Sequence, residues 1–281
     1  MQVYISIDME GVAGVATIDQ VVRGGHGYPA AQRLMTGEAN AAIAGAFDAG
    51  AETVVVNDSH GTMDNLVHAE LDPRARLVFG TPKLDCMAEG LTEEHDVALF
   101  LGYHAAAGAH GVLAHTYSSH FTEVRLNGRP VSETEVNALQ AAAVGVPVAL
   151  VTGDDVICET VRARLPKAHT LAVKTSHGFS AANSLSPTEA CARIRAAAAA
   201  ALADRDALAL AEIPEVLRLE LDMPNASAAE LGALIPTVTR TADRTLEGEF
   251  GTPREVLGVI TICYELAAAS IRSRTALANR R

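Results

Sequence analysis

The sequence predicts an α/β protein in which a mostly parallel sheet is flanked by helices and is followed by a smaller C-terminal α+β lobe. Short apolar runs with β-branched residues recur along the first part of the chain, and helical patterns lie between them. Strands that alternate with helices form parallel sheets that helices cover on both faces. We therefore expect an α/β core over residues 1–180 and an α+β lobe, packed on that core, over residues 181–281.

Five strands and three helices are expected in the core. The strands coincide with apolar runs at residues 3–7, 53–56, 98–101, 148–151 and 170–173. The helices are expected over residues 30–49, 133–144 and 155–164, and their starts are marked by Pro29, Ser132 and the Gly153-Asp154 turn.

A hairpin is expected just before the second of these helices. Residues 121–125 and 129–131 flank Asn127-Gly128, and an Asn-Gly pair supplies the positive φ angles of a tight two-residue turn. Ser132 and Glu135 then have the spacing of a capping box, which places Glu133 in the first turn of the helix.

The chain changes character after about residue 180. An alanine-rich helix is expected over residues 190–203 and a strand over residues 216–221. Thr252-Pro253 marks the start of a final helix that runs to about residue 270. These elements predict the C-terminal α+β lobe.

The composition excludes several kinds of partner. The chain has 281 residues and a formal net charge of −12. It has no basic stripe, so a nucleic-acid partner is not expected, because phosphate binding depends on clustered lysine and arginine. The longest apolar stretch falls short of the roughly 20 residues that a bilayer requires, so no membrane span is expected. A Gly-x-Gly-x-x-Gly motif does not follow the first strand, which argues against nucleotide chemistry.

The N-terminus and the cysteines bear on location. The first residues carry no basic region before their apolar run and no small-residue cleavage site, so a cytoplasmic protein is expected. The four cysteines are far apart and form no Cys-x-x-Cys pair, which predicts reduced thiols in the core.

Five side chains that can bind a metal lie at or just beyond the ends of apolar segments. They are Asp8, Glu10, His60, His104 and Glu133. Carboxylate oxygens and neutral imidazoles are ligands of zinc and related divalent cations. Sheets of this class bind ligands at the carboxyl ends of their strands, where three of the five residues lie. Three carboxylates and two imidazoles, with one ligand shared, suit two zinc ions per chain. Taken alone, Glu133 could equally complement the helix dipole.

Three further acidic residues lie near the ends of predicted strands and could have a role near the candidate ligands. Asp58 could accept the imidazole N–H of His60 and fix its tautomer, or it could cap a turn after the strand. Asp154 and Asp155 follow another strand, but no metal role is expected for them, and Asp155 is expected to be the N-cap of the next helix.

Several short motifs carry a family resemblance that covers roughly the first two thirds of the chain. They are Ser-x-Asp-x-Glu-Gly at 6–11, Asn-Asp-Ser-His at 57–60, Gly-Tyr-His at 102–104, a histidine at 115, Arg-Pro-Val-x-Glu at 129–133, Gly-Asp-Asp at 153–155 and Leu-Ser-Pro at 185–187. In these motifs the chain resembles the zinc-dependent D-aminopeptidases that are encoded with bacterial dipeptide transporters.

The resemblance implies a two-zinc centre in which Asp8 bridges the ions and Glu10, His60, His104 and Glu133 complete their coordination. It also implies a catalytic role for His115, short D-amino-acid-containing peptides as substrates, and a homo-oligomeric ring. D-alanine is the N-terminal residue expected to be removed.

Amide hydrolysis gives a chemical reason for such a site. A bound zinc ion lowers the pKa of its water from about 15.7 to about 7, and a second ion can bind the substrate. A histidine with an unperturbed pKa of about 6.5 can pass a proton to the departing amine or orient the water, which is the role expected of His115. The alternative is that His115 is a surface or supporting histidine.

Two other functions are compatible with the same residues. One is a two-metal hydrolase of another bond, a phosphoester or a cyclic amide. A phosphatase needs lysine or arginine near the metals, and only Arg125 and Arg129 are close in sequence. The other is a non-enzymatic peptide-binding ring protein with a structural metal centre. Structural zinc sites have closed, often cysteine-rich shells, and no cysteine joins this cluster.

Overall fold

The computed structural model of this protein describes residues 1–278, which form two β-sheets and seven α-helices. In chain order the strands are β1 (Gln2–Ile7), β2 (Thr53–Asp58), β3 (Arg76–Val78), β4 (Val97–Tyr103), β5 (Glu123–Leu126), β6 (Arg129–Pro130), β7 (Val148–Asp154), β8 (His169–Gly178), β9 (Ala181–Ser184), β10 (Leu217–Asp222), β11 (Thr239–Arg240) and β12 (Thr245–Phe250). The helices are α1 (Ile18–Val21), α2 (Tyr28–Asp48), α3 (Glu133–Ala143), α4 (Asp155–Arg164), α5 (Pro187–Ala203), α6 (Ala226–Gly232) and α7 (Pro253–Ala278).

The larger sheet has seven strands in the order β3-β2-β1-β4-β7-β8-β9. Adjacent strands of this sheet are parallel, except for β8 and β9, which are antiparallel. The predicted fold class, a mostly parallel sheet flanked by helices with an added α+β part, is confirmed.

Helices cover the larger sheet on both faces because alternate residues of each strand point to opposite sides. Val3 and Ile5 of β1 share a core with α2 and α5, whereas Tyr4 shares a second core with α3 and α4. Helices α2 and α5 approach closely at Gly45, where a Cβ would lie 2.3 Å from the carbonyl oxygen of Arg195.

The smaller sheet has five antiparallel strands in the order β11-β12-β10-β5-β6. Its apolar face packs on α7, where Leu219 and Leu246 share a core with Ile260. The predicted hairpin joins β5 to β6, and its turn residues Asn127 and Gly128 have φ angles of 51° and 75°. The strands of this sheet come from both sides of residue 180, and the division of the chain into two domains at that position stays a prediction.

Helix α7 contains one stretch, Pro253–Ser273, that is long and apolar enough to cross a membrane by length and composition. Core helices of globular proteins pass the same test. Val256, Ile260 and Cys263 of this helix are buried against the smaller sheet, which gives its apolar residues a role in the core. The expected absence of a membrane span stays a prediction.

The loop after β1 crosses the carboxyl edge of the larger sheet and lies directly on the end of β4. The amide of Gly11 donates to the carbonyl of Gly102 over 2.7 Å. A Cβ at position 11 would lie 2.1 Å from the carbonyl oxygen of Tyr103, a distance that no real Cβ adopts. Only glycine therefore fits where this loop meets the sheet.

Gly11→Ala is expected to lower the free energy of unfolding by more than about 2 kcal/mol, because the clash is with backbone that cannot move aside. Gly37→Ala is the matched control. Its Cβ would lie 3.6 Å from Cys191 Sγ, an ordinary contact inside α2. Alanine there is expected to stabilise by about 0.5–1 kcal/mol. Chemical denaturation of both variants measures the difference, and equal effects would contradict the close approach at Gly11.

Candidate metal centre

Three neighbouring strands, β2, β1 and β4, end at one edge of the larger sheet, and the last residue of β1 is paired with both neighbours. Asp8, His60 and His104 follow these three strand ends and meet there. Glu10 lies two residues beyond Asp8. Glu133 reaches the same place from the first turn of α3.

The start of α3 is the predicted capping box. Ser132 Oγ accepts from the amide of Glu135, and the Glu135 carboxylate accepts from the amide of Ser132. The structure thus brings together all five side chains that the sequence singled out as candidate ligands. All five are buried: Asp8, Glu10, His60, His104 and Glu133.

Asp8 lies in the middle of the cluster, and its two oxygens face different imidazoles. Asp8 Oδ1 is 3.1 Å from His60 Nδ1, and Asp8 Oδ2 is 3.2 Å from His104 Nε2. Glu10 Oε2 lies 2.9 Å from His60 Nδ1, and Glu133 Oε2 lies 3.4 Å from His104 Nε2. The cluster therefore has two halves, each with one imidazole and one glutamate, that share the carboxylate of Asp8.

A backbone carbonyl fixes the tautomer of each imidazole, because a carbonyl only accepts. His60 Nε2 donates to Val21 O over 2.7 Å, and His104 Nδ1 donates to Ala105 O over 3.0 Å. The remaining nitrogens, Nδ1 of His60 and Nε2 of His104, then face the carboxylates and are the atoms at which a proton or a cation can bind. Imidazoles that bind metals are held in this way by their second N–H.

Two buried atoms of the cluster lack a hydrogen-bond partner within residues 1–278. They are Glu10 Oε2 and His104 Nε2. Each has a polar neighbour at close range but outside hydrogen-bonding geometry. A cation between buried polar atoms is one arrangement that satisfies them. Three carboxylates and two imidazoles can hold a divalent cation. Two groups of three side chains have ligand atoms close enough together to share one cation. The first group is Asp8, Glu10 and His104, and the second is His104, His115 and Glu133.

The charges of the cluster shift its pKa values strongly. Burial opposes protonation of both imidazoles, yet the carboxylates beside them outweigh it and raise the pKa of His60 and of His104 well above 6.5. Burial and the charge of Glu10 raise the pKa of Asp8. Protons and a cation therefore compete for the same lone pairs, and metal binding is expected to weaken as pH falls.

His115 lies at the open side of the cluster. Its side chain is 21% exposed, more than any of the five candidate ligands, and its Nε2 is 3.7 Å from Glu133 Oε1. Its ring stacks on that of His104 with 4.1 Å between centroids. His115 Nδ1 donates to Leu113 O over 2.9 Å, which leaves Nε2 facing the carboxylates.

The loop that carries His115 is anchored by a residue that the sequence left without a role. Asp154 Oδ2 accepts from the amide of Val112 over 2.8 Å, and Asp154 Oδ1 accepts from the amide of Ile157. Asp154 is therefore the N-cap of α4, and the prediction of Asp155 is wrong by one residue. Two adjacent aspartates offered no local signal to choose between them.

Within residues 1–278 the Asp58 carboxylate makes no hydrogen bond to the ring of His60, whose Nε2–H donates to Val21 O. Instead the Asp58 carboxylate accepts from the amides of Asn65 and Leu66 over 2.5 and 2.7 Å. Neither alternative is confirmed, because the carboxylate binds backbone amides that lie seven and eight positions further on and not in a turn directly after the strand.

Arg125, one of two arginines considered for phosphate binding, lies in the smaller sheet and is engaged elsewhere. Its guanidinium binds the carboxylates of Glu123, Glu220 and Asp222. This arginine is therefore not free to bind a dianionic substrate at the candidate centre.

An α/β fold with a buried carboxylate–imidazole cluster at the carboxyl edge of its sheet is typical of metal-dependent hydrolases. The sequence pattern of one such family, described as D-aminopeptidase, matches residues 1–262. The chain belongs to the D-aminopeptidase family, so the predicted resemblance and the expectation of an enzyme are confirmed.

A sequence comparison and a structure comparison illustrate the similarity. The chain is 36% identical over 268 residues to the D-aminopeptidase of Bacillus subtilis (strain 168), which covers 95% of this chain and 98% of the relative. A solved structure of the Zn-dependent D-aminopeptidase DppA from Bacillus subtilis, described as a self-compartmentalizing protease, superposes with a TM-score of 0.92 at 35% identity. That match covers 95% of this chain and 98% of the other.

Proposed function

We propose that this protein is a binuclear zinc aminopeptidase that removes the N-terminal D-residue, D-alanine above all, from short peptides. One observation carries the proposal: the Asp8 carboxylate directs its two oxygens at two different imidazoles, each of which also faces a glutamate. Such an arrangement offers two adjacent cation sites that share one ligand. Family membership supports the substrate class, and the zinc dependence of the relative supports the metal.

In this proposal Asp8, Glu10 and His60 hold one ion, and Asp8, His104 and Glu133 hold the other. When bound, the pair of ions supplies a low-pKa water and polarises the scissile carbonyl. A free, unprotonated α-amine at the same centre would restrict cleavage to the first residue of a peptide.

His115 is the proposed proton carrier. Its Nδ1–H is held by Leu113, so Nε2 is the atom that can take a proton from the nucleophile and give one to the departing amine. Its partial exposure lets a substrate reach that atom, whereas the ligand imidazoles behind it are buried.

The homo-oligomeric ring stays a proposal, supported by the self-compartmentalizing relative. The cytoplasm is likewise the proposed location, on the strength of the sequence alone. A phosphoesterase or cyclic amidase is the alternative for the same metals, and family membership favours the peptidase.

The proposal predicts that purified protein contains two zinc ions per chain and hydrolyses D-Ala-D-Ala much faster than L-Ala-L-Ala. Treatment with a chelator is expected to abolish hydrolysis, and added zinc to restore it. Rates on both dipeptides and on a phosphoester, together with metal content of the same sample, provide the measurement. Full activity after complete metal removal, or a preference for the phosphoester, would refute it.

A further inference from the structure

A buried lysine holds the loop that carries Glu10. Lys174 extends from β8 and is only 3% exposed. Its ammonium group donates to three backbone carbonyls of this loop: that of Glu10, that of Val12 over 2.9 Å and that of Val15 over 2.6 Å. All three N–H bonds of the side chain are thereby directed at one six-residue segment, residues 10–15.

A buried carboxylate holds the same loop from α2. Glu38 is 2% exposed, and its Oε1 accepts from the amide of Ala13 over 2.8 Å. Its Oε2 has no hydrogen-bond partner within residues 1–278. Residues 10–15 therefore lie between two buried ionisable side chains, with carbonyls turned to the lysine and an amide turned to the glutamate.

The position of the Glu10 carboxylate depends on the backbone of its loop more than the positions of the Asp8 and Glu133 carboxylates depend on theirs. Asp8 accepts from the amide of Met9, and Glu133 accepts from the amide of Tyr117. No backbone amide of residues 1–278 donates to the carboxylate of Glu10, and its Oε2 is buried without a hydrogen bond. The position of this carboxylate is consequently set by the backbone that carries it.

We propose that Lys174 and Glu38 are positioning residues that fix the loop at residues 10–15 and thereby hold the Glu10 carboxylate in place for a metal ion. The inference rests on the proposed zinc centre and deepens it. Both side chains come from other elements, β8 and α2, and both are buried and hydrogen-bonded to this one loop. Burying ionisable side chains is costly, and their hydrogen bonds to this loop offset part of that cost.

The direction in which zinc affinity changes when Lys174 is replaced distinguishes a positioning role from a purely electrostatic effect. Removing a positive charge near a cation site tightens cation binding by itself. Loss of positioning weakens it, and lost supporting contacts around metal ligands typically cost about 10–100-fold in affinity. We expect Lys174→Met, as full-length protein stripped of metal, to bind zinc at least ~10-fold more weakly in competition with a chromophoric chelator.

Two variants of Glu38 test the same inference if Lys174→Met does not fold. Glu38→Gln keeps an acceptor for the amide of Ala13 and is expected to keep wild-type zinc affinity, whereas Glu38→Ala is expected to lose affinity. Ile194→Ala is the control for general destabilisation, since Ile194 is fully buried beside α2 and carries no charge. It is expected to lower the melting temperature and leave zinc affinity unchanged.

Unchanged or tighter zinc binding by Lys174→Met overturns the inference, as does equal affinity of Glu38→Ala and Glu38→Gln. Loss of affinity by Ile194→Ala in proportion to its loss of stability overturns it as well. The readout needs no peptide. If the wild-type protein binds two zinc ions but does not hydrolyse D-Ala-D-Ala, the proposed function is wrong. The zinc affinities of the variants still test the positioning role of Lys174 and Glu38.

Discussion

Asp8→Asn is expected to lower kcat/KM on D-Ala-D-Ala by at least ~10³-fold, because the activation of water at a two-metal site depends on both ions. An asparagine has one oxygen and an amide group that cannot bind a cation, so it can serve only one of the two imidazole-containing halves. The zinc content is expected to fall below two per chain. The fold is expected to persist, since the side chain keeps its size and can still accept from the amide of Met9.

Asp222→Asn is the matched control for this substitution. Asp222 lies in the smaller sheet, where its carboxylate contacts Arg125 and Thr245. It has no contact with the five candidate ligands among its hydrogen bonds and ion pairs, and the variant is expected to keep wild-type kcat/KM and two zinc ions. An Asp8→Asn enzyme with two zinc ions and near wild-type turnover would show that Asp8 does not bridge.

His115→Ala is expected to lower kcat by about 10²–10⁴-fold, the usual contribution of general acid–base catalysis. KM and zinc content are expected to stay unchanged, because His115 is proposed to move protons and not to hold metal. Kinetics and metal analysis on the same preparation check both statements. His110→Ala, which removes an exposed histidine a few residues earlier, is expected to retain full activity.

Zinc content decides between two roles for His115. Its ring nitrogen lies near enough to those of His104 and Glu133 for all three to share a cation. If His115→Ala lost one zinc ion together with its activity, His115 would be a ligand and the assignment of proton transfer would fail. Retained zinc with lost turnover supports the proton carrier.

Much of the larger sheet could be predicted from local pattern. The apolar runs located β1, β2, β4, β7 and β8, since strands buried on both faces must be continuously apolar. The ends were less well predicted. Strands β2 and β7 continue through Asp58 and Asp154, because the backbone ladder extends beyond the apolar run into polar residues. The polar strand β12 and the short strand β11 lack an apolar run, and β3 is only three residues long, so these strands could not be predicted.

The candidate ligands could be predicted because residue type and position agree. Carboxylates and imidazoles that follow parallel strands have few ordinary reasons to recur at one sheet edge. The partner of the His60 N–H could not be predicted in the same way. Asp58 is two residues away in sequence, yet Val21, 39 residues away, makes the hydrogen bond.

Local sequence patterns are sufficient for the fold class, the strand ends that carry the candidate ligands, and the capping box that places Glu133. These are local properties, written in apolar periodicity and in the spacing of cap residues. The folded chain is needed to see that the two oxygens of Asp8 face different imidazoles and that Lys174 reaches the carbonyl of Glu10 across 164 residues. The direction of a side chain and its hydrogen-bond partner depend on the packing of distant segments, and no local pattern encodes that packing.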